Sequence, residues 1–441
     1  MYSLNTLKNG LKLITAPMNG TKTATILVMV GTGSKYERRE NSGISHFLEH
    51  MFFKGTTKRP TCLALSAELD SLGAEFNAFT SKEYTGYWVK VDAKKIEQAM
   101  DIVSDMLLNS KMSAVEIERE KGVIIEELNM YEDNPMMHID DVFENCLYGD
   151  CAAGWDTIGT KKNINGFKRE DFIDYLESQY NEKNTIVCLA GNIDAKAKKK
   201  IEKYFDVAKF AKRGKNFQEK EVVIEKQAKP KVMLEYKKTD QAHLCLGVRS
   251  CDYNDKDKTI AKMIGIILGG SMSSRLFINL RERHGLAYYV HAGTEVYTDS
   301  GYLAAAAGVP VDKIEKAIEI ILAEFKKIKT TLVPAKELQR TKDLLSGKMA
   351  IQMESSDSLA NWYARQAVLA KTVERLKTDK KDFLKDNISE PDKYLKIINK
   401  ITADDIRRVA RDIFVEKNLN LAVIGPFMDG KRFEDLMSMG L

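Results

Sequence analysis

Asp171-Phe172-Ile173 through Tyr180-Asn181-Glu182-Lys183-Asn184 and on to Cys188-Leu189-Ala190-Gly191 lies without a gap on Asp405-Ile406-Arg407 through Phe414-Val415-Glu416-Lys417-Asn418 and Ala422-Val423-Ile424-Gly425. Both copies read as a helix, a Glu-Lys-Asn turn, a buried apolar strand and a closing glycine. The apolar strand at Ala24–Val30 recurs, at a similar offset, as Ala242-His243-Leu244-Cys245-Leu246-Gly247-Val248. A duplicated α+β unit is the simplest account. The copies lie either side of a polar, Lys/Glu-rich connector near 212–229, and a chain of 441 residues is long enough for two cores.

Working outward, Asn9-Gly10 between two alternating apolar stretches predicts a hairpin, with strands near 2–7 and 11–16. Gly31-Thr32-Gly33-Ser34 reads as a turn, because no Gly-Lys-Ser/Thr follows and the next residues are charged. Helices are expected near 61–72, 93–108 and 113–131, with two strands between them at Gly73–Thr80 and Glu83–Val91. Pro135 restricts Asn134 and ends or kinks the third helix. From there to about 165 the chain reads as loop-rich, and His138 reads as structural.

Bulk properties exclude several function classes. The composition, 44% hydrophobic and 30% charged, is that of an ordinary globular protein, and a net charge of +5 with interleaved acids leaves no nucleic-acid footprint. Six scattered cysteines without a C-x-x-C pair read as reduced thiols. The first residues carry no apolar or Arg-rich targeting segment, and no apolar run approaches the ~20 residues of a membrane span, so a cytoplasmic location with no membrane role is expected.

The chemistry sits in His46-Phe47-Leu48-Glu49-His50. On a helix, positions 46, 49 and 50 stand at i, i+3 and i+4, so two imidazoles and a carboxylate share a face. Two neutral imidazoles one turn apart can chelate Zn²⁺, and a carboxylate beside them that is not a ligand can take a proton from metal-activated water. A third protein ligand is needed, and the helix Val115–Leu128 supplies it. At about 100° per residue, Glu120 and Glu127 lie roughly 20° apart on that helix, whereas Glu126 lies roughly 120° from Glu120. Glu127 is therefore the expected third ligand, and Glu120 the acceptor that orients a ligating histidine through its other ring nitrogen.

Together the two motifs resemble the pitrilysin/insulinase-type (inverzincin) zinc metallopeptidases, in particular their processing-peptidase-like branch, over nearly the whole chain. The resemblance implies an α+β fold: two homologous tandem α/β sandwich units, each a mixed, mostly antiparallel sheet with helices packed on one face. Residues 1–215 would form the zinc-binding catalytic domain, and 228–441 a homologous domain without metal that contributes substrate-binding residues. In place of His46–His50 the second copy carries Met263-Ile264-Gly265-Ile266-Ile267-Leu268-Gly269-Gly270, which cannot chelate.

The implied activity is that of a zinc endopeptidase acting on short or unfolded peptides, with Glu49 as general base. Asn77, Ala78 and Phe79 would form the sheet edge that receives the substrate as an added strand. Arg281 and Tyr288, seven residues apart in Ser274–Tyr288, match the family's C-terminal signature, whose arginine and tyrosine reach the substrate at the zinc. In related dimers they come from the partner chain, so a homodimer, or a heterodimer with an inactive homologue, is implied. A catalytically silent assembly or chaperone-like subunit, and a zinc hydrolase of non-peptide substrates, are the alternative readings.

Overall fold

The computed structural model describes residues 2–205, 210, 213, 214, 216–377 and 383–438; the expected domain limits at 1, 215 and 441, and position 212 of the connector, lie outside these. In chain order the elements are β1 Ser3–Thr6, β2 Lys12–Pro17, β3 Thr23–Val30, α1 Ile44–Met51, α2 Cys62–Ser71, β4 Glu75–Thr80, β5 Thr85–Asp92, α3 Ile96–Asn109, α4 Ala114–Asp133, α5 Pro135–Tyr148, α6 Lys161–Gly166, α7 Arg169–Gln179, β6 Thr185–Gly191 and α8 Ala197–Phe205. Then come β7 Lys231–Tyr236, β8 Gln241–Arg249, α9 Lys258–Gly269, a π-helix Phe277–Arg283, β9 Tyr289–Val296, β10 Gly301–Pro310, α10 Ile314–Thr330, α11 Ala335–Gln352, α12 Ser356–Lys377, α13 Phe383–Asp386, α14 Pro391–Lys400, α15 Ala403–Ile413, β11 Leu419–Gly425 and α16 Lys431–Ser438. The two aligned stretches are α7–β6 and α15–β11, each with a 3₁₀ turn at Glu-Lys-Asn.

One sheet runs β1-β2-β6-β3-β5-β4, the other β7-β11-β8-β10-β9. Every neighbouring pair is antiparallel except β2 with β6 and β7 with β11, which are parallel. From β2 to β4 the first order is matched strand for strand by the second. The α+β class and its duplicated, mixed, mostly antiparallel sheets are as expected.

The chain forms two compact units, and they differ from the contiguous stretches 1–215 and 228–441. The first comprises Met1–Leu128, Asp156–Glu221 and Lys348–Lys393; the second comprises Asn129–Trp155, Val222–Gly347 and Tyr394–Leu441. Each half has thus given one helical segment to the other. The reason lies in the strands. All seven residues of β6 and of β11 are buried, and strands covered on both faces need a layer on each side.

In the second unit Leu244, Leu246, Val248, Leu303, Ala305, Leu421 and Val423 pack with α9, α10 and α15 on one face. Cys245, Ala304, Ala306, Ala422 and Ile424 on the other face pack against Ile139, Val142, Phe143 and Leu147 of α5. In the first unit α12 lies across β2, β3 and β6, with Thr25 and Ser356 hydroxyls 2.8 Å apart, and α3 packs on β3 and β5. The expectation of helices on one face only is corrected to helices on both.

The second correction is α5 itself. Residues 135–148, expected to be loop, form a helix. Pro135 does end α4, but it stands at the first position of the next helix, where a missing N–H costs nothing, and Asn134 caps that helix by accepting from the Met136 N–H. On it, His138 Nε2 lies 3.2 Å from Glu235 Oε2. The connector is anchored to the first unit: buried Lys220 is ion-paired with buried Glu83 at 3.3 Å, and Glu219 with Arg375. All six cysteines are free thiols, and among the described residues no helix is long and apolar enough to cross a membrane.

Candidate metal centre

The short helix α1 buries Ile44, Phe47, Leu48 and Met51, which turns His46, Glu49 and His50 to its other face. It opens at Gly43, whose φ of 99° and close approach to Ile158 (an added Cβ would stand 2.3 Å from its carbonyl oxygen) admit only glycine. The two N–H groups at this helix start are satisfied by one buried carboxylate: Glu37 Oε2 accepts from Gly43 and Oε1 from Ser45, both at 2.8 Å. Burial pushes Glu37 up to about 7, and those two donors only partly restrain the shift.

The second wall is α4. Ile117, Ile124 and Leu128 hold it to the core, and that leaves Glu120 and Glu127 facing α1. His46 Nε2 lies 3.6 Å from Glu127 Oε1, and His50 Nε2 lies 3.5 Å from Glu127 Oε2. One donor atom from each of the three falls within 4.8 Å of the others. Ligands about 2.0–2.1 Å from a tetrahedral Zn²⁺ stand roughly 3.3 Å apart, so the spacing and the nitrogen-nitrogen-oxygen donor set both fit that ion. The side chains of His46, His50 and Glu127 are 11%, 21% and 26% exposed, covered yet reachable.

The other ring nitrogens are treated unequally. His50 Nδ1–H donates to Glu120 Oε1 at 2.9 Å, and Lys54 Nζ donates to Glu120 Oε2 at 2.5 Å. His46 Nδ1 is buried with no hydrogen-bond partner. Burial would lower the His50 pKa, but Glu120, Glu127 and Glu49 outweigh it and raise it. Burial would raise Glu120; the His50 and Lys54 bonds hold it below the usual carboxylate range. Glu127 is held down first by His46.

Glu49 stands apart from the ligand cluster. Its Oε2 accepts a 2.5 Å hydrogen bond from Thr80 Oγ1, the last residue of β4. β4 is the edge of its sheet, as expected for Asn77, Ala78 and Phe79. The Ala78 N–H is taken by the Asn77 Oδ1 at 2.9 Å, which shields that donor on the edge. In the second unit the Arg281 guanidinium lies 5.5 Å from the Tyr288 ring and 5.0 Å from that of Phe277, and Tyr288 is 78% exposed. The stretch that carries Arg281 winds as a π-helix, a rare form.

Three contributors escaped the sequence reading. Lys54 stands four residues beyond His50, a spacing that points to one face, but the pattern of ligands gave no reason to look for a cation. Thr80 closes the Asn-Ala-Phe-Thr run, and Glu37 carries no local signal, since its partners lie across a loop.

Comparison with known proteins agrees. Residues 13–160 match the family described as Insulinase (Peptidase family M16), and residues 166–345 the Peptidase M16 inactive domain. The chain is 31% identical to the Bacillus subtilis protein named uncharacterized zinc protease YmxG over 97% of this chain and 98% of that one. It is 32% identical to an uncharacterized zinc protease of Rickettsia felis, over 96% and 98%. A protease from Helicobacter pylori shares the fold, with a TM-score of 0.84 at 21% identity over 97% of this chain and 99% of that one. The duplicated sheets, the facing helices and these likenesses together place the chain in the insulinase family of peptidases, M16.

Proposed function

We propose that the chain is a zinc-dependent endopeptidase that hydrolyses short or unfolded peptides. The observation that carries this reading is the meeting of His46, His50 and Glu127 at one point, with Glu49 on the same helix face but outside the ligand set. Zn²⁺, if bound there, would supply a Lewis acid that activates water for attack. His46 and His50 hold the ion through Nε2, Glu127 holds it through its carboxylate, and Glu120 keeps Nε2 of His50 unprotonated by accepting the proton at Nδ1. Glu49 Oε1 accepts the proton from the attacking water and returns it to the leaving amine.

Substrate enters as a strand on the β4 edge, where the backbone of Asn77, Ala78 and Phe79 offers groups indifferent to sequence. Arg281 binds a peptide carbonyl or carboxylate, and the Tyr288 hydroxyl stabilises the oxyanion of the tetrahedral intermediate. They act from a second copy in a homodimer, or from an inactive homologue in a heterodimer. The protein works in the cytoplasm.

The test is a fluorogenic-peptide digest with and without chelator, alongside Glu49→Gln. The expected result is chelator-sensitive cleavage that falls by several orders of magnitude in the variant while zinc content and fold persist. Cleavage retained in Glu49→Gln would overturn the general-base assignment. No cleavage by the zinc-loaded parent would favour a silent subunit or a non-peptide hydrolase.

A further inference from the structure

We infer that Thr80 is a positioning residue for Glu49, and that through it the edge strand sets the orientation of the general base. The inference rests on the reading of Glu49 given above and extends it to a residue outside the metal motifs.

The contact is a hydroxyl donating to a carboxylate oxygen at 2.5 Å, in the short range of charge-assisted O–H···O⁻ bonds. It joins elements 31 residues apart in sequence, so it is not a by-product of local chain geometry. Thr80 has one proton to give and gives it to Oε2. Glu49 has no other hydrogen-bond partner among the described residues, which leaves Oε1 as the acceptor on offer. A carboxylate anchored by one oxygen keeps a single rotamer and presents the other oxygen in a fixed direction. Misplacement of a reacting group by about 1 Å can cost on the order of 10²-fold in rate.

The anchor is itself held by the sheet. Thr80 pairs with Thr85 of β5, and along β4 the residues of one pleat face are 76, 78 and 80, so Ala78 and Thr80 turn to the same side. The same strand is the proposed landing edge for the peptide. Thr80 closes that strand, so productive docking and base orientation share one element. Thr80 thereby serves the chemical step more than ground-state binding, and that distinction can be measured.

The experiment compares Thr80→Val, which keeps shape and loses the hydroxyl, with Thr80→Ser, which keeps the hydroxyl, in the zinc-loaded full chain with a fluorogenic peptide. Thr80→Val is expected to lower kcat by roughly 10- to 100-fold with KM within about 3-fold and zinc content intact, and Thr80→Ser to recover most of the loss. In the Glu49→Gln background Thr80→Val is expected to add nothing further, because the two act as a unit.

Unchanged kcat in Thr80→Val would overturn the inference and leave the Glu49 assignment standing. Equal damage by Val and Ser, or a rise in KM alone, would also overturn it, since packing or strand docking would then be the cause. Undiminished turnover in Glu49→Gln would remove the base and this inference together. Where the valine variant misfolds by circular dichroism, the serine variant decides: a kcat near the parent's supports the inference, and a collapse with intact fold overturns it.

Discussion

Glu120→Gln probes how the metal ligands are held. Glu120, with only 4% of its side chain exposed, takes two charge-assisted hydrogen bonds, one from His50 at 2.9 Å and one from Lys54 at 2.5 Å. Glutamine is nearly isosteric but offers one acceptor and one donor. If its oxygen faces His50, its NH₂ meets the Lys54 ammonium, donor against donor. If the amide is reversed, His50 Nδ1 must become the acceptor, the ring proton moves to Nε2, and the nitrogen aimed at the ion is lost as a ligand. Either way one contact breaks inside a covered site.

Loss of an outer partner of a metal-bound histidine typically costs 10- to 100-fold in affinity, about 1.4–2.7 kcal/mol. We expect Glu120→Gln to weaken zinc by that factor in a competition titration against a chromophoric chelator near neutral pH, with the fold intact by circular dichroism. Lys54→Met leaves the acceptor for His50 in place and should change zinc affinity by less than about 3-fold. The ordering is the test. Zinc affinity within about 2-fold of the parent in Glu120→Gln, or equal losses in both variants, would refute the reasoning that histidine orientation is what Glu120 supplies.

Two further outcomes concern stability. The Glu37 carboxyl, raised by burial to about 7, keeps its proton in the folded state over a range where the unfolded chain has released it, so the stability it contributes falls as pH rises from about 4.3 to about 7, by roughly 4 kcal/mol, and is flat above. Glu37→Gln should flatten this part of the metal-free protein's urea midpoint against pH, and an unchanged slope would refute it. Lys371 is pushed down to about 7 by burial first, then by the Lys12 and Arg375 cations. Its folded state loses the proton early, so stability should rise as pH climbs from about 7 to about 10.4. Lys371→Met should stabilise the protein near neutrality by roughly 2 kcal/mol, a little under half of the ~5 kcal/mol that the full shift implies, and erase the slope. A lower thermal midpoint for the variant would sink that reading.

What was legible in the sequence follows from periodicity. Helical spacing put His46, Glu49 and His50 on one face and separated Glu120 and Glu127 from Glu126, because each of these depends on residues near one another in the chain, and the gapless internal repeat exposed the duplicated strands. Exchange of helical segments was not legible. Whether α5 and α12 cover their own sheet or the other is decided by which apolar face fits, and Ile139, Val142, Phe143 and Leu147 would suit either. Thr80, Lys54 and Glu37 escaped for a related reason. A serviceable hydroxyl, amine or carboxylate is common, and only the fold says which one stands 2.5–2.8 Å from a group that matters.

The second copy differs in how its helix meets the sheet. In the first unit α1 meets β4 through the Thr80 hydroxyl and the Glu49 carboxylate, a contact that needs room for polar side chains. In the second, an added Cβ on Gly269 would stand 2.3 Å from the Ala292 nitrogen, and one on Gly265 3.1 Å from the Gly293 Cα. The α9 backbone therefore lies directly on β9, and Met263, Ile264, Ile267 and Leu268 are at most 2% exposed. Restoring imidazoles there would need the helix to lift from the strand, at the cost of burying polar rings in an apolar layer. In the π-helix after α9, Phe277 and Leu280 are buried, and the Arg281 guanidinium lies within 5.0 Å of the Phe277 ring and 5.5 Å of the Tyr288 ring. The first copy thus turns polar side chains toward its edge strand, whereas the second lays an apolar helix on the matching strand and carries Arg281 and the exposed Tyr288 in the segment that follows.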